Sequence, residues 1–337
     1  MARPPDGILL VDKPAGVTSH AVVAAVGRRL GVYPPRRGRR FRIGHAGALD
    51  PAATGLLVLL LGKATRLAGA LLGHDKTYTA RIVFGAETDT LDAEGETIRT
   101  APLPDDPDRL AAALSDLAAA REQVPPRYSS LKRDGVALHR RLRAGEAVPE
   151  PEPRPVRVRS LALREVARDP DGRIAAVTVR LRVGGGYYVR SLARDLGRRL
   201  DSAAHLAALR REAVGELQAA DAAPLDALDD AAAIRARIRP AADALPELPR
   251  LVLTPGEAEP VRHGAPPPPA WLDRLPAPPA PAAGTGEGRF LLATADGTLL
   301  ALAVVPLGEG GRPAGPPRLR TVLDGLRPPA GSGEGTA

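Results

Sequence analysis

Asp50 is the residue around which chemistry can be built in this sequence. It lies in the stretch 43–51 (IGHAGALDP), which holds small residues, two glycines, His45 and an Asp-Pro step. An Asp in such a setting commonly shapes a turn or caps a helix. Held on a rigid loop facing a basic groove, the same carboxylate is a candidate nucleophile or base, since nearby arginines favour its ionised form.

Other chemistries find fewer residues. The six histidines, at 20, 45, 74, 139, 205 and 263, are scattered, and no two sit at ligand spacing on one helix, so no metal is expected. The absence of cysteine excludes thiol nucleophiles, thiolate metal sites and disulfides. The run Gly184-Gly185-Gly186 lacks the flanking residues of a nucleotide-phosphate loop and reads as a close turn from a strand into a helix. There is no G-x-S-x-G elbow for a serine hydrolase. No cofactor is expected.

The charge points to a polyanion. The chain of 337 residues is +8, and residues 28–42 carry seven Arg and no acid. Residues 127–164 carry ten basic and four acidic residues, and 180–211 carry eight and two, so the rest of the chain is acidic. Basic stretches segregated in this way read as a nucleic-acid face, against the plainer reading of a solvated surface. Only four of the 47 basic residues are lysines, at 13, 63, 76 and 132. A chain that prefers Arg retains Lys where a compact point charge on a thin stem is needed.

The elements that must position these groups follow from periodicity. Residues 7–12 (GILLVD) form a buried strand, and Thr18 or Ser19 caps a helix running to about Leu30. Residues 33–42 are a basic loop and 63–73 a short helix. Residues 77–84 alternate as a half-buried strand, with Tyr78, Ala80, Ile82 and Phe84 on one side. A helix is expected over 107–120, and strands over 156–163 and 174–183. Residues 187–200 and 203–211 read as helices, followed by a short strand near Val214. Short strands are expected over 251–264 and 290–323, separated by eight prolines in 266–281 that mark a surface insertion. Strands and helices without a βαβ rhythm indicate an α+β fold. The longest apolar run, 56–61, is far too short to span a membrane, and the N-terminal residues lack the apolar core of a signal peptide. A cytoplasmic monomer is expected.

The residues also carry a resemblance. GILLVDKPAGVTSH (7–20), IGHAGALDPAATGLLVLLLGKATRL (43–67), DKTYTARIVFGAETDTLDAEG (75–95), QVPPRYSSLKRDG (123–135) and GGYYVRSLARDLGRRL (185–200) resemble, in order, the motifs of the TruB family of tRNA pseudouridine synthases. Residues 250–323 more weakly resemble a PUA-type RNA-binding domain. The resemblance implies a mixed central sheet with flanking helices and an RNA-gripping insertion over about 124–152. It implies a catalytic domain over 1–245, a PUA-like domain over 246–327 with a Pro-rich insertion at 265–288, and a disordered tail over 328–337.

It further implies isomerisation of a tRNA uridine, position 55 in the T loop, with the N-glycosidic bond broken and re-formed to C5 and no cofactor or metal. By motif match Asp50 is the catalytic carboxylate, Tyr78 the ring stacked on the target base, Tyr188 a second active-site tyrosine and Arg190 the partner of the carboxylate. His45 matches the motif histidine that helps hold the base or its vacated space. Lys13 supports the catalytic loop, and Lys13, Lys76, Lys132, Arg210 and Arg211 are expected RNA contacts. Two departures stand out: Ala46 replaces the usual Thr, and the segment around His139 replaces a more aromatic pattern. The competing reading is a non-catalytic RNA-binding or tRNA-folding protein using the same basic surface, which has no need of an Asp within the full loop motif. A third, weaker reading is a DNA-binding protein of the same charge.

Overall fold

Six consecutive aliphatic residues, Leu56 to Leu61, are wholly buried, as strands covered on both faces are. They belong to one of two compact units into which the chain divides, the first made of residues 1–51, 56–72 and 216–337 and the second of 52–55 and 73–215. The structure, a computed structural model, describes residues 4–33, 41–129, 131–133, 136–146, 148–282 and 285–326. Most of the expected basic loop over 33–42, and the expected tail over 328–337, lie outside the described residues.

In the first unit the strand Gly7–Lys13 runs parallel to Ala223–Pro224. The strand Ile43–His45 runs antiparallel to Leu59–Leu61. The helix Ser19–Arg29 begins where Thr18 accepts a hydrogen bond from the Ala21 amide at 3.0 Å, the expected N-cap. Arg28 and Arg29 in its last turn suit the negative end of the helix dipole. Its Val22, Val23 and Val26 bury against Leu9, Val11, Leu57 and Leu59.

The C-terminal part of this unit is β-rich. Strands Arg250–Leu253, Glu287–Thr294, Leu299–Pro306 and Arg318–Leu326 follow one another in one sheet, with Ala280–Ala282 paired at one side. The expectation of strands throughout 251–264 is corrected: a helix, Pro255–Arg262, follows the first strand. Thr254 and Glu257 cap it reciprocally and Pro255 opens it, a start signal present in the sequence. Trp271 and Leu272 of the Pro-rich segment pack on the core, and Pro281 sits in a short peripheral strand, where a missing donor is tolerated.

The second unit is a mixed sheet. Strands Val158–Arg168, Ile174–Val183, Lys76–Phe84 and Ala204–Val214 pair antiparallel in that order, and Arg210–Arg211 pair in parallel with Thr54–Gly55. Helices Pro107–Ala119 and Val189–Arg199 contribute Leu110, Leu114, Leu192 and Leu196 to its core. Ala80, Ile82 and Phe84 are buried there and Tyr78 packs against it, matching the predicted face. The helix expected over 203–211 is corrected: these residues lie in the strand Ala204–Val214. Its register shifts at Leu206/Ala208 and Arg211/Ala213, and such bulges break the period-two pattern that would have marked it. Glu122–Gln123 pairs antiparallel with Arg154–Pro155, bracketing the expected insertion.

Strands and helices in both units make the fold α+β. Among the described residues, no helix is long and apolar enough to cross a membrane.

Candidate active site

Both neighbours of Asp50 are pinned by buried side chains. The Ser19 hydroxyl donates to the Leu49 carbonyl at 2.9 Å and accepts from the Leu49 amide at 2.8 Å. On the other side, the Lys13 Nζ donates to the Pro51 carbonyl at 3.0 Å, and also to Pro14 and Val17 carbonyls at 2.9 and 2.8 Å. The Gly16 amide donates to the same Pro51 oxygen at 3.0 Å. Lys13 is 0% exposed. An ammonium offers three donors and no acceptor, so three carbonyl oxygens suit it where a planar guanidinium would not.

The loop itself starts from a strand end. The Ala46 amide donates to the Val58 carbonyl at 3.0 Å and its side chain is fully buried. His45 ends the strand opposite Leu59 and is half-buried. Asp50 is also half-buried, so its carboxylate sits on a backbone held at both sides while remaining accessible to a reactant.

The second unit gathers Tyr188 and Arg190 at the start of the helix Val189–Arg199. Arg190 is 8% exposed and donates to the Thr90 carbonyl at 2.9 Å and the Tyr128 carbonyl at 3.0 Å. Its Nε lies 3.7 Å from the carboxylate of the buried Asp92. Charge-assisted bonds of this kind fix the direction of a planar guanidinium. Tyr188 is the N-cap, and its main chain is bonded to the Gln123 side chain in both directions. Beside it, burial pushes the Tyr187 phenol well above its ordinary pKa, the Asp195 charge adds to this, and a hydrogen bond with Gln123 opposes it. Tyr78 stands between Leu181 and Arg211 in the sheet register.

The expected RNA contacts divide. Lys13, Lys76 and Arg211 are all buried, at 0%, 6% and 1% exposure. Lys13 is a loop anchor. Lys76 donates to the His74 carbonyl at 2.8 Å; burial first, and the Arg211 charge second, push its pKa down to about 8, with Asp75 opposing. Arg211 adjoins Gly55, whose φ is +98°; a side chain there would meet the Arg211 carbonyl at 2.3 Å. Arg210 is exposed. Lys132 lies in a short strand, Lys132–Arg133, and its side chain is outside the described residues.

Sequence reasoning passed over Ser19, Gln123 and Asp92 as site residues. Ser19 adjoins the helix cap and reads in the sequence as an alternative to Thr18. The Gln123 side chain meets a main chain, and the carbonyls that meet Arg190 belong to one, which leaves no spacing signature.

Comparison with known proteins places these residues in a family. The description "TruB family pseudouridylate synthase (N terminal domain)" matches residues 36–189, and "tRNA pseudouridylate synthase B C-terminal domain" matches 190–258. The chain is 45% identical over 225 residues to a tRNA pseudouridine synthase B of Opitutus terrae, covering 66% of this chain and 87% of that one. It is 42% identical over 292 residues to the corresponding protein of Aromatoleum aromaticum, covering 85% of this chain and 87% of that one. Its fold is similar to a chain in the solved structure of an H/ACA RNP bound to a substrate RNA containing 2'-deoxyuridine, with a TM-score of 0.61, 22% identity and coverage of 94% and 84%. Its relatives make it a pseudouridine synthase, an isomerase. The chain belongs to the TruB family.

Proposed function

We propose that the protein isomerises the T-loop uridine of tRNA, position 55, to pseudouridine, with Asp50 as the catalytic carboxylate. The observation that carries this reading is the double anchoring of the Asp50 loop by Ser19 and Lys13. A carboxylate that must meet one sugar of a large substrate gains rate from a fixed position, because misplacement by about 1 Å can lower the rate about 100-fold.

In the net reaction the N1–C1′ bond breaks, a C1′–C5 bond forms, the C5 proton leaves and N1 takes one up. An enzyme acting on a base must first take it out of the stack, at a few kcal/mol. Tyr78, half-buried on its strand, supplies a stacking face worth about 1–3 kcal/mol. Tyr188 and His45 line the pocket in this reading, and Arg190 pairs with the carboxylate and fixes its direction. Arg210 and Lys132 bind RNA phosphates, the segment over about 124–152 grips the T arm, and residues 246–327 add a PUA-like RNA-binding domain. The protein acts as a cytoplasmic monomer without metal or cofactor.

The test is release of tritium from 5-labelled uridine in T-arm RNA. Wild-type protein releases it and Asp50→Ala does not, while the variant binds the RNA with near-normal affinity. Turnover surviving in Asp50→Ala overturns the catalytic assignment.

A further inference from the structure

The site described above leaves one buried amide unused by the chemistry. Gln123 is 7% exposed; both ends of its side-chain amide reach the Tyr188 main chain, and the Tyr187 phenol bonds to it as well. Its Oε1 accepts from the Tyr188 amide at 2.9 Å, and its Nε2 donates to the Tyr188 carbonyl at 3.1 Å. A side chain bonded in this two-way fashion imitates a neighbouring strand and fixes both the φ side and the ψ side of its partner. Tyr188 takes extended dihedrals, φ −108° and ψ 112°, at the point where the chain enters a helix, a junction at which no regular element of its own sets its direction.

The location of Gln123 extends the consequence. It sits in the two-residue strand Glu122–Gln123, paired with Arg154 across the base of the segment that separates them. The next residues make further bonds to the same helix. The Val124 carbonyl accepts from the Ser191 hydroxyl at 2.8 Å and from the Arg194 Nη2 at 2.9 Å. The Tyr128 carbonyl accepts from Arg190. Residues 123–128, at one root of the insertion, thus bond to residues 188–194, and the bonds of Gln123 reach the Tyr188 main chain where those of Val124 and Tyr128 reach side chains.

We infer that Gln123 is a positioning residue for catalysis, holding the Tyr188 main chain so that its ring is presented correctly, and tying that presentation to the base of the RNA-binding insertion. The inference rests on the reading of Tyr188 as an active-site residue. It is not a substrate contact: both ends of its amide are committed to the protein.

The experiment is a double-mutant cycle on single-turnover rates with T-arm RNA, using Gln123→Ala, Tyr188→Ala and the pair. Gln123→Ala is expected to slow turnover between about 10- and 100-fold, with RNA affinity within about twofold. Acting through Tyr188, it adds little once Tyr188→Ala is present, so the effects are strongly non-additive. Gln123→Glu supplies a second readout that a merely structural role does not move. A protonated carboxyl donates to the Tyr188 carbonyl as the amide did, and an ionised one repels it. The turnover of Gln123→Glu relative to wild type therefore recovers as pH falls. Additive effects, wild-type turnover of Gln123→Ala, or a loss equal to the unfolded fraction at the assay temperature overturn the inference and leave the Tyr188 assignment standing. Wild-type turnover of Tyr188→Ala alone overturns that assignment, and this inference with it.

Discussion

The Lys13 Nζ donates to the Pro51 carbonyl at 3.0 Å, joining the end of the first strand to the residue that follows Asp50. Thirty-eight positions separate the two in sequence, and the bond makes the position of Asp50 a property of the N-terminal strand. Lys13→Met takes one donor from each of three carbonyls, Pro51 keeping the Gly16 amide, which destabilises the fold by about 3 kcal/mol. It slows turnover about 100-fold. Lys13→Arg fails to restore the rate, because a planar fork cannot point three donors at converging carbonyls. Urea unfolding and tritium release on the same samples check both halves; wild-type turnover in Lys13→Met removes the anchor from the mechanism.

Ser19 and Thr18 are adjacent but do different work. Thr18→Ala removes a helix cap and lowers stability by about 1 kcal/mol with little change in kcat. Ser19→Ala releases both the amide and the carbonyl of Leu49, lowers stability by about 1–3 kcal/mol, and reduces kcat more than it changes KM. Equal effects of the two substitutions on kcat contradict this division.

Gly55 tolerates no side chain. Its φ of +98° is costly for any L-residue, and a Cβ would overlap Arg211 backbone atoms at 2.3 and 2.8 Å. Gly55→Ala is expected to lower stability by more than about 2 kcal/mol, against the small gain that such a change gives where the backbone accepts it. A Tm equal to wild type refutes the geometry.

Lys76 gives a stability signature on the alkaline side. Its pKa is lowered to about 8 in the folded chain from 10.5. Between pH 8 and 10.5 the unfolded chain holds a proton that the folded chain has released, so stability rises with pH over that window. Below pH 8 both states carry it and the full penalty of burial applies. Lys76→Met lacks the titration, so its stability relative to wild type falls from pH 8 to 10.5. A difference that is flat across this range shows that Lys76 titrates normally.

Much of the fold was legible because local signals agreed with tertiary packing. Thr18 before an apolar-periodic run marked the first helix, and the alternation of Tyr78, Ala80, Ile82 and Phe84 marked the strand and its inward side. The strand Ala204–Val214 reads as a helix in the sequence because AHLAALRR is rich in helix formers and places Leu206 and Leu209 three apart. Pairing on both sides, with Lys76–Phe84 and Thr54–Gly55, overrides that preference. The Asp50 loop was legible from residue types alone. The groups that hold it are less so: a serine bonded to backbone leaves no pattern, and Lys13 stands out only because lysine is scarce.

The burial of Lys13 also makes the loop observable in solution. Of four lysines, Lys13 is fully buried and Lys76 nearly so. Acylation of amines, followed by peptide mass analysis, therefore reads the opening of the Asp50 loop directly. Modification at Lys13 requires its three carbonyl bonds to break, so its labelling rate, set against that of the more accessible Lys63, is a clock for loop release that needs no engineered probe.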